Sequence, residues 1–381
     1  MDILQYTAEH DEFRQRLRDF MDREIIPRAE EFEKAHHIPK DVWQQMGRAG
    51  FLCTNVDKEY GGHGLDFLYS VIVCEEVSRA RQSGLAVSLH SDIVVPYIES
   101  YGTEEQKKKH LPGTVSGDTV SAVAMTEPGA GSDLASMQAT AVEENGEVVL
   151  NGTKTFISNG INCGIVVLAA RDPEVENPYE AISLYLVEEG TPGFERGRRL
   201  QKMGMHAQDT AELFFNNCRI PVENRLGEKG RGFLMLMEKL QQERLVVALM
   251  AVFGAERVLE EVTDYLKTHT ERSGKPRIKN QAIQFELVEM TTEAKLGRTF
   301  VEKLVADHME RKSVVVEVSM AKYWTTDMVN RVADKAVGLL GLDATDNDNV
   351  IVRAWRDVRI MPIFAGTNEV MKTVAARFMG L

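Results

Sequence analysis

The chain has 381 residues, of which 43% are hydrophobic and 27% charged, and a formal net charge of −13. That length supports a large core and two or three domains in an ordinary soluble protein, while the negative charge and the lack of a basic stripe argue against nucleic-acid binding. The longest apolar run, Leu245 to Gly254, is too short for a membrane span; the acidic start is unlike a signal or transit peptide; and the dispersed Cys53, Cys74, Cys163 and Cys218 read as buried thiols of a reducing, cytoplasmic compartment.

Residues 8–30 carry Phe13, Leu17, Phe20 and Ile25 at helical spacing, with an interruption at Pro27. Pro39 opens a second helix. Residues 65–81 and 84–101 read as two more, and Thr103 to His110 as a capped, charged one. Residues 1–120 are therefore expected to form a helical domain. The texture changes after Pro112. Asn145-Gly146 and Asn151-Gly152 each sit between short β-favouring runs and predict hairpins. Residues 165–170, 181–187 and 210–215 read as strands, so 121–225 is expected to be an antiparallel sheet or barrel. From residue 226 on, the pattern is helical again. Leu234 to Thr268 has an all-round apolar centre, which describes a helix inside a bundle; 279–309, 315–340 and 368–380 give three more. The fold class is α+β, in the order helices, sheet, helices.

Ser121 to Asp133 is the most informative stretch. It starts as an apolar strand and ends in Pro128-Gly129-Ala130-Gly131-Ser132, where no regular element continues. Glycines let backbone N–H groups approach a ligand, and Thr126 and Ser132 add hydroxyls. A strand leading into such a loop suits a phosphate or the polar rim of a flavin; a plain Pro-Gly turn is the simpler alternative. The nine histidines include no His-Glu-x-x-His and no carboxylate cluster, so no metal site is expected. One carboxylate falls on an apolar helix face: at about 100° per residue, Glu243 shares a side with Leu236, Leu240, Val247, Met250 and Gly254. Such a group is either ion-paired, for instance with Arg244, or functional. Asp92 shares a face with Leu85 and Leu89, and reads either as a helix-start residue or as an acid in a pocket.

Met125-Thr-Glu-Pro-Gly-Ala-Gly-Ser-Asp133 resembles the flavin-contact signature of the acyl-CoA dehydrogenases. Tyr60-Gly-Gly62, Lys154 to Gly160, Lys202 to Thr210 and Gly366-Thr-Asn-Glu369 also resemble family segments, and the likeness runs over essentially the whole chain. It implies a helical N-domain, a β middle domain and a C-terminal four-helix bundle that drives homotetramer assembly. It also implies FAD, an acyl-CoA substrate oxidised to the 2-enoyl-CoA, and an electron-transfer flavoprotein as acceptor. Met125, Thr126 and Ser132 would face the flavin, with Ser132 also near the CoA arm. Phe156, Ile157 and Ser158 would line the isoalloxazine, Gln281 would reach a neighbouring subunit's FAD, Gly366, Thr367 and Asn368 would close over the cofactor, and Arg244 would approach the CoA adenosine end.

Three stretches depart from the family pattern. Thr270 and Ser273 stand where an Arg and a Phe are usual. Gly338 to Leu342 lacks one glycine of the family's Gln-x-x-Gly-Gly. Ala365 occupies the commonest base position and cannot take a proton. The long-chain and isovaleryl subgroups carry their base at the position of Glu243, so the resemblance implies Glu243 as the catalytic base. Related enzymes of alicyclic acyl-CoAs use an Asp near the position of Asp92, which would imply a cyclohexane-type substrate. A plain long- or branched-chain enzyme, a flavin monooxygenase or oxidase of the same fold, and a flavin-free interaction protein are the alternatives.

Overall fold

The computed structural model describes residues 3–381. Six helices come first: α1 Ala8–Phe20, α2 Ala29–Ala35, α3 Lys40–Arg48, α4 Phe67–Arg79, α5 Val95–Tyr101 and α6 Glu104–Ser116. Pro27 interrupts the first run as expected, with a π turn at Met21–Ile25 and a 3-10 turn at Ile26–Arg28 between α1 and α2. The helix expected over 84–101 starts only at Val87 and passes through a π segment, Leu89–Val94, before α5. Asp92 lies inside this continuous run, so it is not a helix-start cap. π segments are rare and frequent at functional sites.

Thr103 and Gln106 form a reciprocal capping box on α6. The helix continues past Pro112 to Ser116, further than the sequence suggested. Burial of Leu111, Thr114 and Val115 anchors the last turn and outweighs the missing N–H.

The middle of the chain forms one sheet from β1 Val120–Ala124, β2 Thr140–Glu144, β3 Glu147–Ser158, β4 Cys163–Arg171, β5 Ile182–Glu188, β6 Phe194–Arg199, β7 Thr210–Pro221 and β8 Arg225–Leu226. A short helix, α7 Pro178–Ala181, precedes β5. The order is β6-β7-β3-β2-β4-β5-β8, with β1 on β4. The sheet is mixed rather than purely antiparallel, because the β2–β3 hairpin intervenes and brings β4 back parallel to β1 and to the start of β2.

Of the two Asn-Gly pairs expected to close hairpins, only the first does. Asn145 and Gly146, at φ 53° and 83°, close the β2–β3 hairpin. Asn151-Gly152 sits inside β3, at a register shift between Leu150 and Gly152. A Cβ on Gly152 would lie 2.6 Å from the Ala139 Cβ, so this glycine serves a bulge and a close approach.

The last third is helical: α8 Gly232–Thr268, α9 Gln281–Met309, α10 Val315–Leu340, α11 Val350–Val358 and α12 Asn368–Met379. α11 was not anticipated. α8 packs against α9 and α10, and α12 lies along α10. Leu245 to Phe253 is buried at every position except the partly buried Met250. Among the described residues no helix is long and apolar enough to cross a membrane.

Side chains alternate across the central strands. Ile165, Val167 and Ala169 join the N-terminal helices, while Val166, Leu168 and Ala170 face the core under β3 and β7. The third core unites α8, α9 and α10 with Phe67, Leu68 and Val71 of α4. The start of α8 is thereby set between the N-terminal helices and the bundle.

Candidate active site

The base candidate sits where α8 crosses the π segment. Tyr101 donates its hydroxyl proton to Glu238 at 2.6 Å, and the Gln242 amide donates to the Asp92 carbonyl at 2.6 Å. These two bonds run α5 and the π segment alongside the α8 turn that carries Glu243.

The Glu243 side chain is partly buried, and its Oε2 is sealed from solvent without a hydrogen-bond partner. No ion pair to Arg244 forms. Burial pushes the Glu243 carboxyl up to about 7, against the pull of Arg244 and Lys322. Tyr97 faces the same turn fully buried, also with an unpartnered hydroxyl. Burial, then the charge of Glu243, holds the Tyr97 phenol well above its ordinary value. Arg244 is 6% exposed and its Nε is without a partner. Two adjacent residues of one buried helix thus carry opposite charges that do not neutralise each other by contact, an arrangement suited to a third, bound group.

Asp92 is 4% exposed. Burial raises its carboxyl to about 7, and the hydroxyls of Ser70 and Ser88 oppose that rise. His90, its neighbour, is structural: Nδ1 bonds to Ser121 Oγ at 2.8 Å and Nε2 to the Thr114 carbonyl at 3.0 Å, with burial lowering its pKa to about 4.

The loop after β1 carries the second group of candidate residues. Glu127 and Ala130 exchange backbone bonds of 2.9 and 3.2 Å around Pro128-Gly129. A Cβ on Gly129 or Gly131 would meet nothing within 4 Å, so both positions open outward. Thr126, Ser132 and Ser158 make no side-chain hydrogen bond within the chain. Below the loop lies a buried ion pair that sequence reasoning did not single out. Lys154, 0% exposed, donates to Glu127 Oε1 at 2.8 Å and to the Met125 carbonyl at 2.9 Å. Glu127 in turn accepts from the Gln138 and Ala139 N–H groups. The signal was a charged residue inside an otherwise β-favouring run.

Phe156 lies at a register shift between Lys154 and Ile157, at φ 57°, with its ring 67% exposed. A left-handed aromatic residue displaying its ring costs about 1–3 kcal/mol and persists where surroundings impose it, typically at ligand sites. Ile157 points the other way, 3% exposed in the sheet core, and leaves only its backbone for a ligand.

At the far side, Thr367 Oγ1 caps α12 by accepting from the Val370 N–H. The Asn368 amide is taken up by Tyr323, Thr326, Asp327 and Lys322. The Asn368 side chain is therefore committed within the protein. Gln281 opens α9 and is exposed. Thr270 and Ser273, the positions departing from the family pattern, lie exposed in the segment joining α8 and α9.

The Met125–Ser132 loop offers free hydroxyls and open glycines, Phe156 an exposed ring, and Glu243 a carboxyl oxygen without a partner. Residues 7–118, 122–218 and 230–380 match the family descriptions "Acyl-CoA dehydrogenase, N-terminal domain", "middle domain" and "C-terminal domain". The chain belongs to the acyl-CoA dehydrogenase family, whose members are flavin-dependent oxidoreductases. It is 41% identical over 373 residues to the mouse mitochondrial long-chain specific acyl-CoA dehydrogenase, covering 98% of this chain and 86% of that one. It is 35% identical to an acyl-CoA dehydrogenase of Bacillus subtilis, with 98% of each covered. A crystal structure of an acyl-CoA dehydrogenase from Geobacillus kaustophilus superposes with a TM-score of 0.97 at 49% identity, covering 99% of both chains.

Proposed function

We propose that Glu243 removes the α-proton of an acyl-CoA thioester, and that the Met125–Ser132 loop, Phe156 to Ser158 and the Gly366–Asn368 turn would hold FAD beside the β-carbon. The observation that carries this reading is the sealed, unpartnered Oε2 of Glu243. FAD, when bound, supplies the hydride acceptor. The residues present fit it: free hydroxyls on Thr126, Ser132 and Ser158, open glycines, and an aromatic ring presented at a strained backbone position. A carboxyl whose pKa lies near neutral pH is matched to accepting a proton. Arg244 and Ser132 would hold parts of the CoA ester.

A homotetramer completes the reading. Phe285, Val288 and Leu296 are 60%, 64% and 59% exposed on one face of α9, an apolar stripe suited to a second copy. With Thr270 and Ser273 in place of the usual Arg and Phe, a neighbour's hold on the FAD pyrophosphate is weaker, and FAD leaves more readily on dilution. The electron acceptor is an electron-transfer flavoprotein, and the compartment the cytoplasm.

The acyl group is compact and of cyclohexane type, with Asp92 facing its ring. What supports this is a carboxyl 4% exposed with no cation paired to it, since an alkyl chain gains nothing from a desolvated acid. A long straight chain is the second reading, favoured by the names of the relatives. An anaerobic panel from short straight chains to cyclohexane carboxyl-CoA tests both. Asp92→Asn is expected to depress turnover of cyclic substrates far more than of straight ones. Equal effects on both, or strong activity of the unaltered enzyme only with long straight chains, would remove Asp92 from the site.

A further inference from the structure

Lys322 is a buried charge that proton abstraction by Glu243 leaves without a task. It lies on α10, 0% exposed. An ammonium has three donors. Lys322 places two, on the Gly366 carbonyl at 2.7 Å and on Asn368 Oδ1 at 3.1 Å. It makes no ion pair with a carboxylate among the described residues. A desolvated cation without a contact anion is expensive, and such groups persist where function uses them. The turn it grips is also unusual. Ala365 and Gly366 stand at φ 55° and 87° in succession, a conformation alanine rarely adopts unless its surroundings impose it. Asn368, 3% exposed, extends the grip to Tyr323, Thr326 and Asp327.

We propose that Lys322 is a positioning residue that couples the Ala365–Asn368 turn to the base: its ammonium pins the turn to α10 and holds a positive charge against the Glu243 side of the site. This rests on the reading of Glu243 as the base. The charged groups whose fields reach Lys322 are Glu243 and Arg244 from α8 and Glu369 from α12, both of which pack along α10, and Asp327 from its own helix. Burial, then Arg244, lowers the Lys322 ammonium to about 8. Below that pH the cation is present, favours the Glu243 carboxylate and makes charge-assisted bonds to the turn. Above it, the cation is lost and both effects go. The rate of the reductive half-reaction therefore rises with an acid limb, falls with an alkaline limb, and both limbs belong to the coupled groups.

The test is the anaerobic rate of flavin bleaching by an acyl-CoA from about pH 6 to about pH 10, in the FAD-loaded enzyme and three variants. Lys322→Met is expected to lose the alkaline fall, to move its acid limb up by about one unit, and to release FAD faster on dilution. Lys322→Arg keeps the charge throughout, so the alkaline fall vanishes while the acid limb stays. Asp327→Asn removes an anion whose field supports the Lys322 cation, so the alkaline limb moves down. Should Lys322→Met not fold, the other two variants carry the test. An alkaline limb unmoved in both Lys322→Arg and Asp327→Asn overturns the proposal. A wild-type rate in Glu243→Gln is a separate outcome, which defeats the assignment of the base instead.

Discussion

Glu243→Gln is expected to slow anaerobic flavin reduction by about 10²- to 10⁴-fold, the usual loss when a positioned base is removed. Glutamine keeps the shape and the capacity to hydrogen-bond, so acyl-CoA binding should be largely retained and the loss should fall on the rate constant. The same variant should change stability with a defined sign. The folded-state pKa of Glu243 is raised, to about 7. Its protonated form therefore favours the fold at acid pH, and that contribution is lost as pH rises through about 7. Above neutrality the wild type holds a desolvated carboxylate that Gln lacks. The variant should melt higher than wild type at alkaline pH, with the gap shrinking toward the ordinary carboxyl pKa. Flavin reduction at the wild-type rate would transfer the role to another carboxylate, first Asp92.

Lys154→Met should be the most destabilising single change near the Met125–Ser132 loop. Removing one member of a buried ion pair costs about 3–5 kcal/mol, because the remaining charge is left uncompensated. Glu127 would keep the Gln138 and Ala139 N–H groups, which places the loss toward the lower end. The Met125 carbonyl would lose its tether, and the loop would then be held to β3 by the Thr155 N–H on the Thr126 carbonyl. Adding Glu127→Gln to Lys154→Met should recover part of the stability, since the unpaired charge goes with it. Denaturant unfolding of the single and double variants measures both effects. A single variant within about 1 kcal/mol of wild type, as for an exposed pair, would show that the pair does not hold the loop.

Much of this architecture was legible in the sequence because it rests on periodicity. The apolar centre of α8 and the break at Pro27 both emerged where the pattern placed them. Local signals failed where tertiary context decided. Asn151-Gly152 carries the same dipeptide as the true hairpin, but Ala139 presses on it from a neighbouring segment and β7 pairs along its strand. Pro112 reads as a stop, yet buried side chains carry α6 beyond it. α11 is short, and its Ile351, Val352 and Val358 are buried against elements distant in sequence.

For the site, Glu243 stood out as a carboxylate on an apolar face, whereas Lys154 and Lys322 did not. A lysine in a strand or helix resembles any surface lysine until the chain brings carbonyls to it. Tyr97 was hidden for a related reason. Its hydroxyl matters because nothing pairs with it, and an absent partner leaves no trace in a sequence.

Anaerobic addition of acyl-CoA to the purified chain tests the central claim most directly. The expected result is a protein that carries a visible flavin band and loses it on adding an acyl-CoA without oxygen or a pyridine nucleotide, with formation of the 2-enoyl-CoA. A protein that contains no flavin and takes none up, or a flavin band that no acyl-CoA in the panel bleaches, would contradict it.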